Sequence, residues 1–219
     1  MKILALEFSS PQRSVALVDG GTTLVASAVE TMPHRMNALG MVDQVLREAH
    51  WEREAVECIV VGLGPGSYTG IRAAIALAQG WQLARDIRLL GISSVEALAV
   101  EAQTRCCLGS VHIVIDAQRR EFYYAQYQIS SHSLELLVPL RIVTWDDLMS
   151  RASQGGAVIG PEADQWFPEA HRLFPQAVHL GRLATQRQDF VPGFQLTPIY
   201  LRETQFVKAP PPRVLPRPH

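Results

Sequence analysis

Lysine is nearly missing from this 219-residue chain. Only Lys2 and Lys208 occur, so arginine supplies almost all of the twenty basic side chains, and 21 acidic residues bring the formal net charge to −1. No global basic field is available to hold nucleic acid by counterion release. Cysteine is scarce as well. Cys58, Cys106 and Cys107 are too few for a disulfide framework: Cys58 sits in an apolar run and reads as a small buried hydrophobe, and the adjacent pair is poor bridge geometry. That usage suits a reducing cytosol. No apolar run approaches a membrane span, and Ser9-Ser10-Pro11-Gln12-Arg13 ends the apolar start at Met1 to Phe8 too early for a signal peptide. The expectation is a cytoplasmic protein without membrane contact. HExxH, Cys-x-x-Cys and Gly-x-Ser-x-Gly are all missing, and no two of the seven histidines lie three or four apart. No helix turn therefore carries a two-histidine metal face.

What is present is an ordered α/β pattern in a chain 47% hydrophobic, long enough for one large domain or two small ones sharing a core. Its most informative stretch runs from Ile59 to Arg72. Ile59-Val60-Val61 predicts a buried strand, Gly62-Leu63-Gly64-Pro65-Gly66 a tight turn, and Ser67 or Thr69 the cap of a helix reaching Arg85. Gly64, Gly66, Ser67 and Thr69 are candidates for anion or cofactor contact at that helix start. A tight structural corner explains them equally well, because no Gly-Lys-Ser/Thr follows and the glycine spacing is one short of G-x-G-x-x-G.

Two hairpins frame this layout. Ile3 to Glu7 turns through Phe8–Arg13 into Ser14–Val18, and Val111 to Asp116 turns through Ala117–Arg120 into Phe122–Tyr127. Each opens about half of the chain, which predicts an internal duplication. Glu7 and Asp116 end equivalent strands. They read as a catalytic pair or, preferably, as acceptors of turn N–H groups. Helices are expected over Met36–His50, Val95–Gln103 (with Ser93 and Glu96 as a capping box) and Trp145–Ala152, and a strand end at Val158–Gly160. Residues 1–108 and 109–205 form two subdomains, and 206–219 a mobile proline-rich tail. The Met36–His50 and Ile71–Arg85 helices are apolar on more than one side. Pattern alone leaves open whether that means an interior position or a partner helix pair.

Together the strings Ile3-Leu4-Ala5-Leu6-Glu7, Gly64-Pro65-Gly66-Ser67-Tyr68-Thr69-Gly70-Ile71-Arg72, Ala78-Gln79-Gly80, Gly91-Ile92-Ser93-Ser94, Asp116-Ala117-Gln118-Arg119 and Pro198-Ile199-Tyr200-Leu201-Arg202 resemble the TsaB (YeaZ) family of tRNA threonylcarbamoyladenosine biosynthesis. The chain departs from that family at Glu7-Phe8, where Asp-Thr is usual, and at Arg120, where glycine is usual. The resemblance implies a duplicated fold of the actin/Hsp70/sugar-kinase (ASKHA) type, mixed sheets flanked by helices. It also implies a non-catalytic subunit that supports a TsaD-like catalytic partner, with a TsaE-like ATPase, in transferring threonylcarbamoyl to adenosine 37 of ANN-decoding tRNAs.

TsaD carries a Gly-Val-Asn-His-x-x-x-His metal motif whose two ligand positions fall here on Ser94 and Leu98. No metal, cofactor or catalytic residue is therefore expected. The resemblance further implies partner contact through Met36, Leu39, Val42, Ile71, Ala74 and Ala78, homodimerisation through the same surface when the chain is alone, and tRNA contact only within the complex. Arg119, Arg120 and Arg202 are expected to be loosely paired surface residues rather than phosphate contacts. The competing reading is a free-standing ATP-dependent phosphotransferase or metallopeptidase of the same superfamily.

Overall fold

The computed structural model describes residues 1–20, 23–31 and 37–202. The first sheet is built from β1 (Ile3–Glu7), β2 (Arg13–Asp19), β3 (Thr23–Glu30), β4 (Cys58–Gly62) and β5 (Arg88–Ile92), in the order β3-β2-β1-β4-β5. The second uses β6 (Gly109–Asp116), β7 (Glu121–Ile129), β8 (Leu134–Thr144), β9 (Ala157–Gly160) and β10 (His171–Arg172), in the order β8-β7-β6-β9-β10. Each sheet is an antiparallel three-strand meander whose first strand also pairs in parallel with the fourth, and the fourth with the fifth. Identical order and direction in both sheets is the duplication that the two hairpins predicted.

The helices repeat too, with losses. α1 (Ala38–Glu48) links β3 to β4, as α4 (Trp145–Ala152) links β8 to β9. α2 (Tyr68–Ala84) links β4 to β5, but its counterpart has shrunk to a 3-10 turn at Ala163–Gln165. α3 (Ser94–Thr104) follows β5, and α5 (Ala177–Ala184) follows β10. These last two cross over. Val95, Leu98, Ala99 and Ala102 of α3 pack on Val111 and Ile113 of the second sheet, whereas Ala177, Leu180 and Ala184 of α5 pack on Ile3, Ala5 and Val60 of the first. A division of the chain at residue 108 is therefore not respected by either helix. Their contact is pinned by His179 Nε2, 2.7 Å from Glu101 Oε2, with Arg105 Nε donating to the other carboxylate oxygen at 2.9 Å.

β1 and β4 are buried on both faces, which explains their unbroken apolar runs. Leu4, Leu6, Ile59 and Val61 face α1 and α2, while Ile3, Ala5, Cys58 and Val60 face α5. Within α1 and α2 the residues turned to that core include Met41, Val42, Val45, Leu46, Ile71, Ala74, Ile75 and Ala78. Each large side chain buried there contributes roughly 1.5–3 kcal/mol. The small ones let α2 lie close to the sheet.

Two local expectations need correction. Ser93 does cap α3, its Oγ accepting from Val95 N–H at 3.3 Å, but Glu96 does not complete a capping box. Its carboxylate pairs instead with Arg187, a charge partner stronger than a backbone N–H. Met36 and the tail from 206 to 219 lie outside the described residues.

Candidate functional site: the glycine loop, the cleft and the outer helix face

Gly62 ends β4 directly over Glu7; a Cβ there would lie 2.0 Å from Glu7 Oε2. Gly66 and Gly70 meet the first hairpin turn in the same way, their missing Cβ atoms falling 2.1 Å from Ser9 O and 2.0 Å from Phe8 O. Gly66 also holds a φ of 145°, which disfavours any side chain. Ser67 N–H donates to Ser9 O at 2.6 Å, and Ser67 Oγ caps α2 by accepting from Gly70 N–H at 3.3 Å. The amides of Ser67 and Gly70 are thus engaged by the protein itself, and the glycines serve a close backbone crossing.

Behind the loop lies a buried polar knot. Ser94 Oγ donates to Glu7 Oε2 at 2.7 Å and accepts from Gly64 N–H at 3.1 Å, while Ser9 N–H donates to Glu7 Oε1 at 2.8 Å. Complete burial pushes the Glu7 carboxyl above its ordinary range, against the lowering effect of Ser9 and Ser94. Asp116 behaves as its counterpart only in part. Its Oδ1 accepts from Gln118 N–H at 2.7 Å, but the side chain is exposed. Glu7 and Asp116 therefore each terminate a hairpin strand, and they do not face one cleft as a carboxylate pair. The positions of interest for metal binding are spent in the same knot and core: Ser94 serves Glu7 and Gly64, and Leu98 is buried against the second sheet.

A cleft of about 490 Å³ separates the lobes, lined by Gly66, Ser67 and Thr69 on one side and by Asp116, Gln118 and Glu162 on the other. Gly64, the fourth loop candidate, is buried behind this wall. Burial also raises the Glu162 carboxyl. Arg202 pairs with Glu121 and donates to Ala117 O at 3.0 Å, fastening the last described segment to the second hairpin. Arg119 and Arg120 at its tip are exposed and have no ion pair among the described residues.

The outer face of α1 and α2 carries a different residue set from the one expected for partner contact. Val42, Ile71, Ala74 and Ala78 point into the core and are unavailable to another protein. Among the described residues of the expected set, Leu39 alone is open, 66% exposed. α2 turns outward Thr69, Arg72, Ala76, Gly80 and Leu83, spaced by three or four residues along one stripe. Leu83 is 90% exposed, and nothing lies within 4 Å of a Cβ placed on Gly80. Tyr68 and Tyr200, 6.0 Å apart, close one end of this stripe, with Arg72 donating to Tyr68 Oη at 2.9 Å. The stripe was readable in part from the spacing of Arg72, Ala76, Gly80 and Leu83, but the neighbouring alanines masked it.

Two duplicated sheets of the same strand order, with terminal helices exchanged between them, define a protein of the actin/Hsp70/sugar-kinase class. Residues 29–191 match the family model described as TsaD: tRNA N6-adenosine threonylcarbamoyltransferase. The tRNA threonylcarbamoyladenosine biosynthesis protein TsaB of Escherichia coli is 32% identical, over 80% of this chain and 88% of that one. Its Bacillus subtilis namesake is 29% identical over 73% and 71%. A crystal structure from Pseudomonas aeruginosa, described as similar to peptidase YeaZ, superposes with a TM-score of 0.78 at 30% identity, covering 92% of this chain and 99% of that one. The chain belongs to the TsaB (YeaZ) family, within the wider sequence family that carries the TsaD description. Among the described residues, no helix is long and apolar enough to cross a membrane.

Proposed function

We propose that this protein is a non-catalytic subunit of tRNA threonylcarbamoyladenosine synthesis. It binds and supports a TsaD-like catalytic subunit, with a TsaE-like ATPase, during transfer of threonylcarbamoyl to adenosine 37 of ANN-decoding tRNAs. The observation that carries this reading is the outward stripe of α2, Ala76-x-x-x-Gly80 ending at Leu83, together with the exposed Leu39 of α1. Small residues at that spacing admit a second helix at close range, and the two leucines offer apolar area to cover. The names of the relatives supply the pathway. In the same reading the stripe pairs two copies of the chain when the partner is absent, and the cytoplasm is its compartment.

The test is reconstitution of tRNA modification from purified TsaD-like and TsaE-like proteins, with and without this chain. Modification that depends on the chain, and falls when Leu83→Asp weakens the complex, is the expected result. Modification equally fast without it, or unaffected binding by Leu83→Asp, would set the reading aside.

A further inference from the structure

The 17 residues of α2 include one charge. Arg72 is the helix's only ionised side chain, and it stands on the outward stripe with Ala76, Gly80 and Leu83. Helical side chains lean toward the amino-terminal end, so the guanidinium lies back over the first turn. There its Nη1 donates to Tyr68 Oη at 2.9 Å, and its Cζ stands 5.2 Å from the centre of the Tyr68 ring. Tyr200 reaches the same corner from the last described segment, its ring 6.0 Å from that of Tyr68. Both tyrosines are more than half exposed.

The charge in this corner is unbalanced. Among the described residues Arg72 forms no ion pair with a carboxylate. The amino-terminal end of a helix carries positive potential of its own, which disfavours a cation there. Tyr68 fixes the direction of the guanidinium without neutralising it, and takes one of its five N–H donors. A neighbour that covered this corner with apolar surface alone would strand the charge away from water, which is strongly unfavourable. A second copy of the chain does no better, because the α2 it presents carries Arg72 again and no acidic residue. A carboxylate, by contrast, meets the planar fork with two parallel hydrogen bonds. Arginine and tyrosine are also the residue types that most often dominate the energy of an interface.

Resting on the reading that the α2 stripe docks a TsaD-like subunit, we propose that Arg72, braced by Tyr68, receives a carboxylate of that subunit, and that this ion pair selects it over a second copy of the chain. Arg72 is exposed, so its replacement leaves the folded body intact. Affinity for the purified TsaD-like protein is measured for the parent, Arg72→Met, Arg72→Lys and Leu83→Asp, and self-association of each is followed by sedimentation. The ion pair predicts a loss of roughly tenfold or more with Arg72→Met, incomplete recovery with Arg72→Lys, and self-association unchanged or tighter in Arg72→Met. It also predicts that Arg72→Glu abolishes the complex and that an acidic-to-arginine change on the TsaD-like protein restores it. Binding lost in Leu83→Asp but held within twofold in Arg72→Met would overturn the ion pair and leave the docking face standing. Binding unaffected by either variant would remove the docking face and the proposal with it. An equal loss of self-association in Arg72→Met would overturn the selectivity. A loss confined to tRNA binding by the assembled complex would overturn the proposal too, and identify a phosphate contact in its place.

Discussion

Ser94 Oγ lies 2.7 Å from Glu7 Oε2, and this bond joins the start of α3 to the end of β1 beneath the glycine loop. A hydroxyl at one of the two positions where TsaD carries metal-binding histidines is thereby committed to holding a buried carboxylate. Ser94→Ala would remove one of the donors to Glu7 and the acceptor of Gly64 N–H. We expect a loss of about 1–3 kcal/mol, read as a lower denaturant midpoint with an unchanged slope.

The pH response of Glu7 has a definite sign. Burial raises its folded value above the ordinary 4.5, so the folded state binds the proton more tightly than the unfolded chain. Its contribution is greatest below 4.5 and is lost as pH rises through the raised value. Glu7→Gln cannot titrate, so stability measured from pH 4 to 8 should decline less steeply in this variant than in the parent. Parallel profiles would show that Glu7 does not titrate differently in the two states.

Glu101 behaves oppositely. Burial alone would raise it, but the hydrogen bonds from His179 and Arg105 hold its carboxyl below 4.5. Its contribution is therefore complete above the unfolded value and disappears as pH falls through the lower folded one. Glu101→Gln should cost most at neutral pH, about 1–3 kcal/mol for a hydrogen-bonded charge, and progressively less below pH 4.5. Denaturation of both proteins across that range checks the convergence.

Substitutions on α2 should divide by face. Ala74→Glu buries a charge against the first sheet and should cost on the order of 3–5 kcal/mol of stability. Ala76→Glu, two residues on and exposed, should leave the melting temperature within a few degrees of the parent while weakening association with a TsaD-like partner. Calorimetry beside gel filtration separates the two effects.

Cysteine labelling should be equally selective. Burial pushes the Cys58 thiol up to about 12, whereas Cys106 is exposed. A thiol reagent at pH 8 should modify Cys106 first, Cys107 more slowly, and Cys58 only after unfolding, as peptide mapping over time would record.

Much of this was legible in the chain. The hairpins, the Ser67 cap and the bounds of the Trp145–Ala152 helix follow from turn residues and apolar spacing, and they are found where expected. The inner and outer faces of α2 were legible only in part. Ala73, Ala74, Ala76 and Ala78 are chemically alike, so no periodicity separates core from surface, and only the position of the sheet decides. Glu96 was misread because its partner Arg187 is 91 residues away. The exchange of α3 and α5 was hidden for a related reason. An apolar stripe announces burial without saying against which lobe.

That exchange has a consequence for how the chain is made. The first sheet is complete in sequence at Ile92, yet one of its faces stays bare until Ala177, Leu180 and Ala184 of α5 have been synthesised. At about 5–20 residues per second, the ribosome delivers that cover several seconds or more after β5 emerges. The amino-terminal lobe thus waits, open on one side, for a helix belonging by descent to the other. Once α5 seats itself, each lobe holds a piece of its twin, and pulling them apart means unfolding both.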